Sequence, residues 1–250
     1  MPAKTSSAPK GMYSLKTLLT KSWGAYRENF TKILYITLAV YIPLNIILYF
    51  TPTPNFDDLS DFTTLFRWES FLELILGTVA TLAVASVVKA WIDKSGKAGS
   101  GSSGKEIEWT EAIKNILPVW PKAIWIQIVS GIIISLATIL LILPGIFMAV
   151  SYLFVIHALL FREKTGLDAL HYSYQLVKGR WWRTFGLTLV IGIFTFIASW
   201  LPDIIYIVVP AHYVTDIVTM TAADVIYAFS TVAFVVMFLN YEAVKAPVKK

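Results

Sequence analysis

The chain contains no cysteine. Disulfides, thiol catalysis and cysteine-held metal are therefore excluded. Histidine is nearly absent too, at three residues, and a lone histidine lacks the companion ligands that a zinc site needs. There is no Gly-x-Ser-x-Gly elbow, no His-Glu-x-x-His pair and no phosphate-cradling Gly-x-x-x-x-Gly-Lys-Ser/Thr loop. Charge is scarce as well: 15% of residues are charged and 56% are hydrophobic, far from the balance of a typical soluble domain. No residue set spells out a reaction, so no catalytic residue, cofactor or metal is expected.

The most informative scarcity is positional. Six apolar stretches run over about 30–50, 70–91, 122–143, 146–161, 184–209 and 217–240. A stretch of about 20 apolar residues spans the hydrocarbon layer as a helix. The connections between these stretches alternate in charge. Twenty of the 21 Lys and Arg residues fall on the N-terminal segment, the second and fourth connections and the tail, and the remaining connections hold only Arg67. Lys and Arg are retained on the cytoplasmic side. The pattern predicts a multi-pass protein of the plasma (inner) membrane with both termini cytoplasmic. The net charge of +5 is then explained by retention and by anionic lipid head groups, and nucleic acid is not an expected partner. The first apolar run begins too late, and lacks a small-x-small site after it, for a cleavable signal peptide.

Composition divides the rest. Residues 1–13, rich in Pro, Ser and Lys, are expected to be disordered, with one membrane domain over 14–250. Residues 94–105 read as a flexible Gly/Ser linker. Leu143-Pro144-Gly145-Ile146 reads as a tight turn between the third and fourth stretches. Pro202 either ends the fifth stretch or kinks it. Segments before the first, third and fifth stretches look amphipathic: Leu15, Leu18, Leu19, Trp23 and Tyr26 recur at helical spacing, as do Leu167, Leu170, Tyr174 and Val177, and Ile113, Ile116 and Leu117 share a side. Such helices suit either the inner leaflet or a position packed beneath the bundle. Each is followed by an aromatic-x-basic entry, Phe30-Thr31-Lys32, Trp120-Pro121-Lys122 and Trp181-Trp182-Arg183. Phe30, Lys32, Trp120, Lys122, Trp181 and Arg183 are expected to anchor the interface. The resulting fold class is all-α: six transmembrane helices as three hairpins, each preceded by an amphipathic interface helix.

Residues 142–186 carry a resemblance. Leu143-Pro144-Gly145-Ile146, an apolar helix, and then Ala169, Leu170, Ser173, Leu176, Val177, Lys178, Gly179, Arg180 and Trp181 resemble the membrane domain of bacterial glycerophosphoryl diester phosphodiesterases and its stand-alone YciC-like inner-membrane relatives. The resemblance implies a six-helix integral membrane domain. Phosphodiesterase activity in the fused members belongs to a separate soluble barrel, for which this chain has no room, so no catalytic residue is carried over.

Among polar residues inside the stretches, Glu73 and Asp224 are the sharpest. Glu73, Gly77, Thr81 and Ala85 form one helical stripe, and Thr221, Asp224, Ala228 and Thr231 another. Small residues mark helix contacts in bilayers, so both carboxylates should point into the bundle as a possible proton or cation site, or else reach outer water. Gln127 and His157 should lie at similar depth and bond each other across the third and fourth helices. Asn45, beside Pro43, is placed to bond a carbonyl that the proline frees.

Three functions stay open on this reading: a non-enzymatic membrane protein that organises or assists envelope or lipid components, a transporter or channel-like protein using the carboxylates, and a lipid-acting enzyme. The topology is testable because a single introduced cysteine has no competitor in the chain. Ser60→Cys and Thr215→Cys are expected to react with an impermeant thiol reagent in intact cells, and Ser102→Cys to be protected. The inverse pattern would overturn the orientation.

Overall fold

The structure is a computed structural model that describes residues 11–50, 68–97 and 106–245. All regular structure among the described residues is helical. The expected disorder over 1–10, most of the Gly/Ser linker (98–105), the first outer loop and the tail after 245 lie outside the described residues.

Helix α1 (Leu15–Glu28) starts where Ser14 Oγ accepts the Thr17 amide, 3.2 Å, supplying an acceptor to one of the orphan donors of the first turn. It buries Leu18, Ser22, Ala25 and Tyr26, a single helical face. Helices α2 (Phe30–Tyr49) and α3 (Trp68–Lys97) follow. The small-residue run of α3, from Val79 to Val88, supplies much of the core. Helix α4 (Trp109–Ile116) leads into α5 (Trp120–Leu140), α6 (Ile142–Ser151) and α7 (Val155–Arg162). Helix α8 (Gly166–Val177) leads into α9 (Trp181–Ala198) and α10 (Tyr213–Lys245). Helix α10 runs through the middle, in contact with α1, α2, α3, α8 and α9. The helices before the first, third and fifth stretches each pack on a neighbour: α1 on α10, α4 on α3, and α8 on α7. They are packed members of the bundle, as their buried faces require.

Three expectations need revision, and one left open at Pro202 is resolved. The linker does not begin at Lys94: α3 continues to Lys97, and Lys94 pairs with Glu106 at 2.5 Å. Residues 11–13 are ordered rather than loose, because the Tyr13 amide donates to Asn240 Oδ1 at 3.0 Å. The Leu-Pro-Gly segment is not the turn. One extended residue, Leu141, reverses the chain, and Pro144 sits in the first turn of α6, where its missing donor has no partner to lose. Gly145 instead marks the closest approach of α5 and α6, since a Cβ there would stand 2.9 Å from the Thr138 Cα. The fifth stretch ends as an α-helix at Ala198, and a 3-10 segment, Leu201–Ile207, begins around Pro202.

The fourth stretch is broken. Residues 152–154 interrupt it between α6 and α7, although no Pro or Gly stands there. Ser173 of α8 fills the gap: its hydroxyl donates to the Ser151 carbonyl (2.8 Å) and accepts from the Phe154 amide (3.1 Å). Backbone groups freed inside a membrane must find such partners.

Gly145→Ala is expected to destabilise the protein by about 1–3 kcal/mol through overpacking against backbone. Gly192→Ala, where an added Cβ meets nothing within 4 Å, is expected to be neutral or mildly stabilising. Thermal melting of both variants in one detergent checks the contrast.

Candidate functional site: a polar cavity beside an apolar groove

Helices α2, α3 and α10 enclose a cavity of about 180 Å³. Its polar wall comes from Thr37, Tyr41, Thr81, Asp224, Ser230 and Thr231. These are oxygen groups on three helices, and no Lys or Arg lines the space. Asp224 is half-buried, and the Asn45 amide donates to its Oδ2 (2.9 Å) and to Thr221 Oγ1 (3.1 Å). Asn45 itself is 3% exposed. It therefore does not serve Pro43, as its position beside the proline had implied, because the half-buried Asp224 carboxylate on α10 is the stronger acceptor.

Both stripes read from the sequence turn out to face this space. Thr81 lines it and Ala85 is buried deeper on α3, while Ala228 and Thr231 line it from α10. Gly77 lets α3 approach the Tyr41 hydroxyl, 3.3 Å from where a Cβ would sit. Glu73 is exposed at the far end of its stripe, the second of the two placements left open for it. Asn45 lies 15 residues into α2, about 22 Å along it, which sets Asp224 in the last third of a hydrocarbon layer about 30 Å thick.

Gln127 and His157 do not meet. Gln127 Nε2 donates to Thr78 Oγ1 at 2.6 Å. His157 is 5% exposed inside a cage of Phe154, Phe161 and Phe238, and neither ring nitrogen has a hydrogen-bond partner. The break at 152–154 shifts α7 out of the register that a continuous helix would give. Among the described residues no group of three or more His, Asp and Glu is arranged to hold a metal.

The six expected anchors divide. Phe30, Trp120 and Trp181 each open a helix. Two of them are also structural donors: the Trp120 indole donates to the Ile75 carbonyl (2.8 Å) and that of Trp181 to the Phe147 carbonyl (3.2 Å). Lys32 is paired with Glu106 (3.5 Å) and Glu108 (3.7 Å). Lys122 is exposed. The Arg183 guanidinium donates to the Tyr13 carbonyl.

Sequence reasoning missed an ion pair built on a buried carboxylate. Glu242, 8% exposed, accepts a forked pair of bonds from Arg162, Nε at 2.7 Å and Nη2 at 2.6 Å, and a further bond from the Tyr172 hydroxyl. Forked Arg–carboxylate pairs are strong and directional, and this one ties α7 and α8 to α10. Burial, and then the Glu242 carboxylate, push the Tyr172 phenol up to about 12, so it remains a donor at ordinary pH. Its members, two charged groups and a phenol, stand on three separate helices, with Tyr172 and Arg162 70 and 80 residues from Glu242, and spacing along the chain does not pair them.

A larger groove, about 910 Å³, lies between α2, α9 and α10. Trp23, Tyr26 and Phe30 close one end, and Tyr213 and Val214 the other. Leu38, Ile42, Ala198, Ala222 and Val225 are among the side chains between them. From Phe30 to Ile46 it follows α2 for about 24 Å, most of the hydrocarbon thickness.

Six helices long and apolar enough to cross a membrane put the chain in the class of multi-pass helical membrane proteins. Residues 110–246, from the second residue of α4 to just past the end of α10, match the family model described as Domain of unknown function (DUF7847), and the chain belongs to that family. No curated protein and no solved structure matches it.

Asn45→Ala is expected to cost about 1–3 kcal/mol, the price of leaving a buried acceptor without its donor. Asp224→Asn is expected to cost less. A double-mutant cycle in detergent should return a coupling of about 0.5–3 kcal/mol; additive effects would mean that the bond contributes nothing.

Proposed function

We propose that this chain is a non-enzymatic inner-membrane protein that organises or assists envelope lipid. In this reading both termini are cytoplasmic, and three units, each a short amphipathic helix followed by a membrane hairpin, close into a bundle. The packing of α1 on α10, α4 on α3 and α8 on α7 supports that arrangement. The observation that carries the function is the apolar groove beside α2. It runs nearly the depth of the hydrocarbon layer and its lining is almost wholly apolar. In a bilayer an acyl chain is the chemically matched occupant, because it leaves no polar group unsatisfied. The resemblance of residues 142–186 to a phosphodiesterase membrane domain agrees with a role beside lipid, and it rests on those residues alone.

A second reading has its own observation. Asp224 stands unpaired with any cation among the described residues, beside a cavity of hydroxyl oxygens. Ionisable groups inside membranes are functional candidates by default, and this one suits a proton or a monovalent cation. Uptake of such an ion into proteoliposomes that Asp224→Asn abolishes would move the conclusion to transport.

The lipid reading is tested by filling the groove. Ala222→Trp and Ala198→Phe are expected to lower the amount of phospholipid that survives purification, measured by native mass spectrometry, while helix content is unchanged. Unchanged lipid in both variants would sink the reading.

A further inference from the structure

The chain from α8 to α9 turns at Gly179, whose φ of +80 is ordinary for glycine and strained for other residues. The turn leaves a cavity of about 830 Å³ lined by Lys178, Arg180, Arg183, Trp182 and Met12. Three cationic side chains therefore converge on one open space. Two of them are oriented by backbone carbonyls: Arg180 donates to Tyr241 (3.3 Å) and lies 5.1 Å from that residue's ring centre, and Arg183 donates to Tyr13. Lys178 is exposed and no ion pair among the described residues engages any of the three.

The surroundings supply no counter-charge. No Asp or Glu occurs before Glu28, between Asp168 and Asp203, or after Glu242. Glu242, the acid nearest in sequence to Tyr241, is already held by Arg162 and Tyr172. The first turn of α9 adds backbone donors, since no side chain caps it. Trp182, 78% exposed beside the cavity, gives it an amphipathic wall of the kind that sits at head-group level.

We propose that the α8–α9 corner binds the phosphate of an anionic membrane lipid, with Lys178, Arg180 and Arg183 as its cationic cradle. Arg180 and Arg183 supply guanidinium charge, Lys178 acts as the mobile point charge, and Trp182 packs on the glycerol and upper acyl region. Arginine's fixed fork suits a phosphate, and lysine contributes charge without geometry. The site depends on the lipid reading above only for its orientation toward the inner leaflet; it shares no residue with the apolar groove.

The test uses the full chain in detergent, titrated with phosphatidylglycerol, phosphatidylcholine or inorganic phosphate, with bound lipid counted by native mass spectrometry and protection read by thermal melting. Phosphatidylglycerol is expected to bind in preference to phosphatidylcholine. Lys178→Gln, which removes a side chain with no structural partner, is expected to weaken phosphatidylglycerol about fivefold and leave phosphatidylcholine unchanged. Arg183→Lys keeps the charge and removes the guanidinium fork, and is expected to reduce the same preference. Equal binding of the two lipids, or a preference untouched in both variants, would overturn the proposal. Protection by inorganic phosphate alone equal to that by phosphatidylglycerol would overturn the lipid source. Ala222→Trp separates the two readings: it should lower both lipids alike and leave their ratio intact, whereas the corner variants change the ratio alone.

Discussion

Inside a membrane every backbone donor and acceptor must be satisfied by the protein itself, and most of this structure answers to that demand. Helices meet it within their own length. Where a helix stops early, a side chain from elsewhere has to complete it. The break between α6 and α7 is the clearest case. Ser173 bonds both exposed groups of the gap, so α8 has to lie along α7, and the chain after it then enters α9 at a fixed place. The Arg162–Glu242–Tyr172 cluster ties α7 and α8 to α10 in turn. A polar residue in the right position thus decides the path of an apolar chain, because lipid tails offer apolar side chains no preference between protein and solvent.

The same demand explains a recurring contact. The Tyr26 hydroxyl donates to the Val225 carbonyl (2.8 Å), the Trp120 indole to Ile75 and the Trp181 indole to Phe147. Each donor is an aromatic at or one turn before the entry to a membrane helix. Each acceptor lies on α10, α3 or α6, a helix of the unit on which the adjoining short helix leans. An aromatic that anchors an interface presents an apolar body and one polar tip. Here the tip is spent on a neighbouring helix, which fixes the angle between units as well as their depth.

Hydropathy made the six spans legible, since twenty-residue apolar runs have few other solutions. Helical periodicity made the stripes on α3 and α10 legible, because the phase of one helix is a local property: Thr81, Ala228 and Thr231 face a shared cavity as their spacing required. What failed was register between helices. Gln127 and His157 were matched by their equal distance from Lys122 and Arg162 at the basic ends of the two stretches, which assumes two unbroken helices joined at Leu143–Ile146. The reversal actually falls at Leu141 and the second helix is interrupted at 152–154, so Gln127 meets Thr78. Tyr152, Leu153 and Phe154 carry no helix-breaking signal. The partner that makes the break tolerable, Ser173, is 22 residues from Ser151, beyond the reach of local pattern.

The two polar features of the bundle differ in what they ask of a ligand. At the outer third, Asp224 has one strong donor, Asn45, and a cavity of hydroxyls that can donate or accept. That site tolerates a proton, a small cation or water, and its chemistry is permissive. At the α8–α9 corner the groups are cations, two of them oriented by backbone carbonyls, and no ion pair among the described residues engages them. Water can hydrate them, but it brings neither a counter-charge nor a fixed depth. A phosphate held on a glycerol meets both conditions at once, since its charge answers the three cations and its tether keeps it at head-group depth. The permissive site is compatible with several functions of the bundle, whereas the corner is matched to one class of molecule. Under the proposed reading lipid accounts for both the corner and the groove, while transport would account for the Asp224 cavity alone.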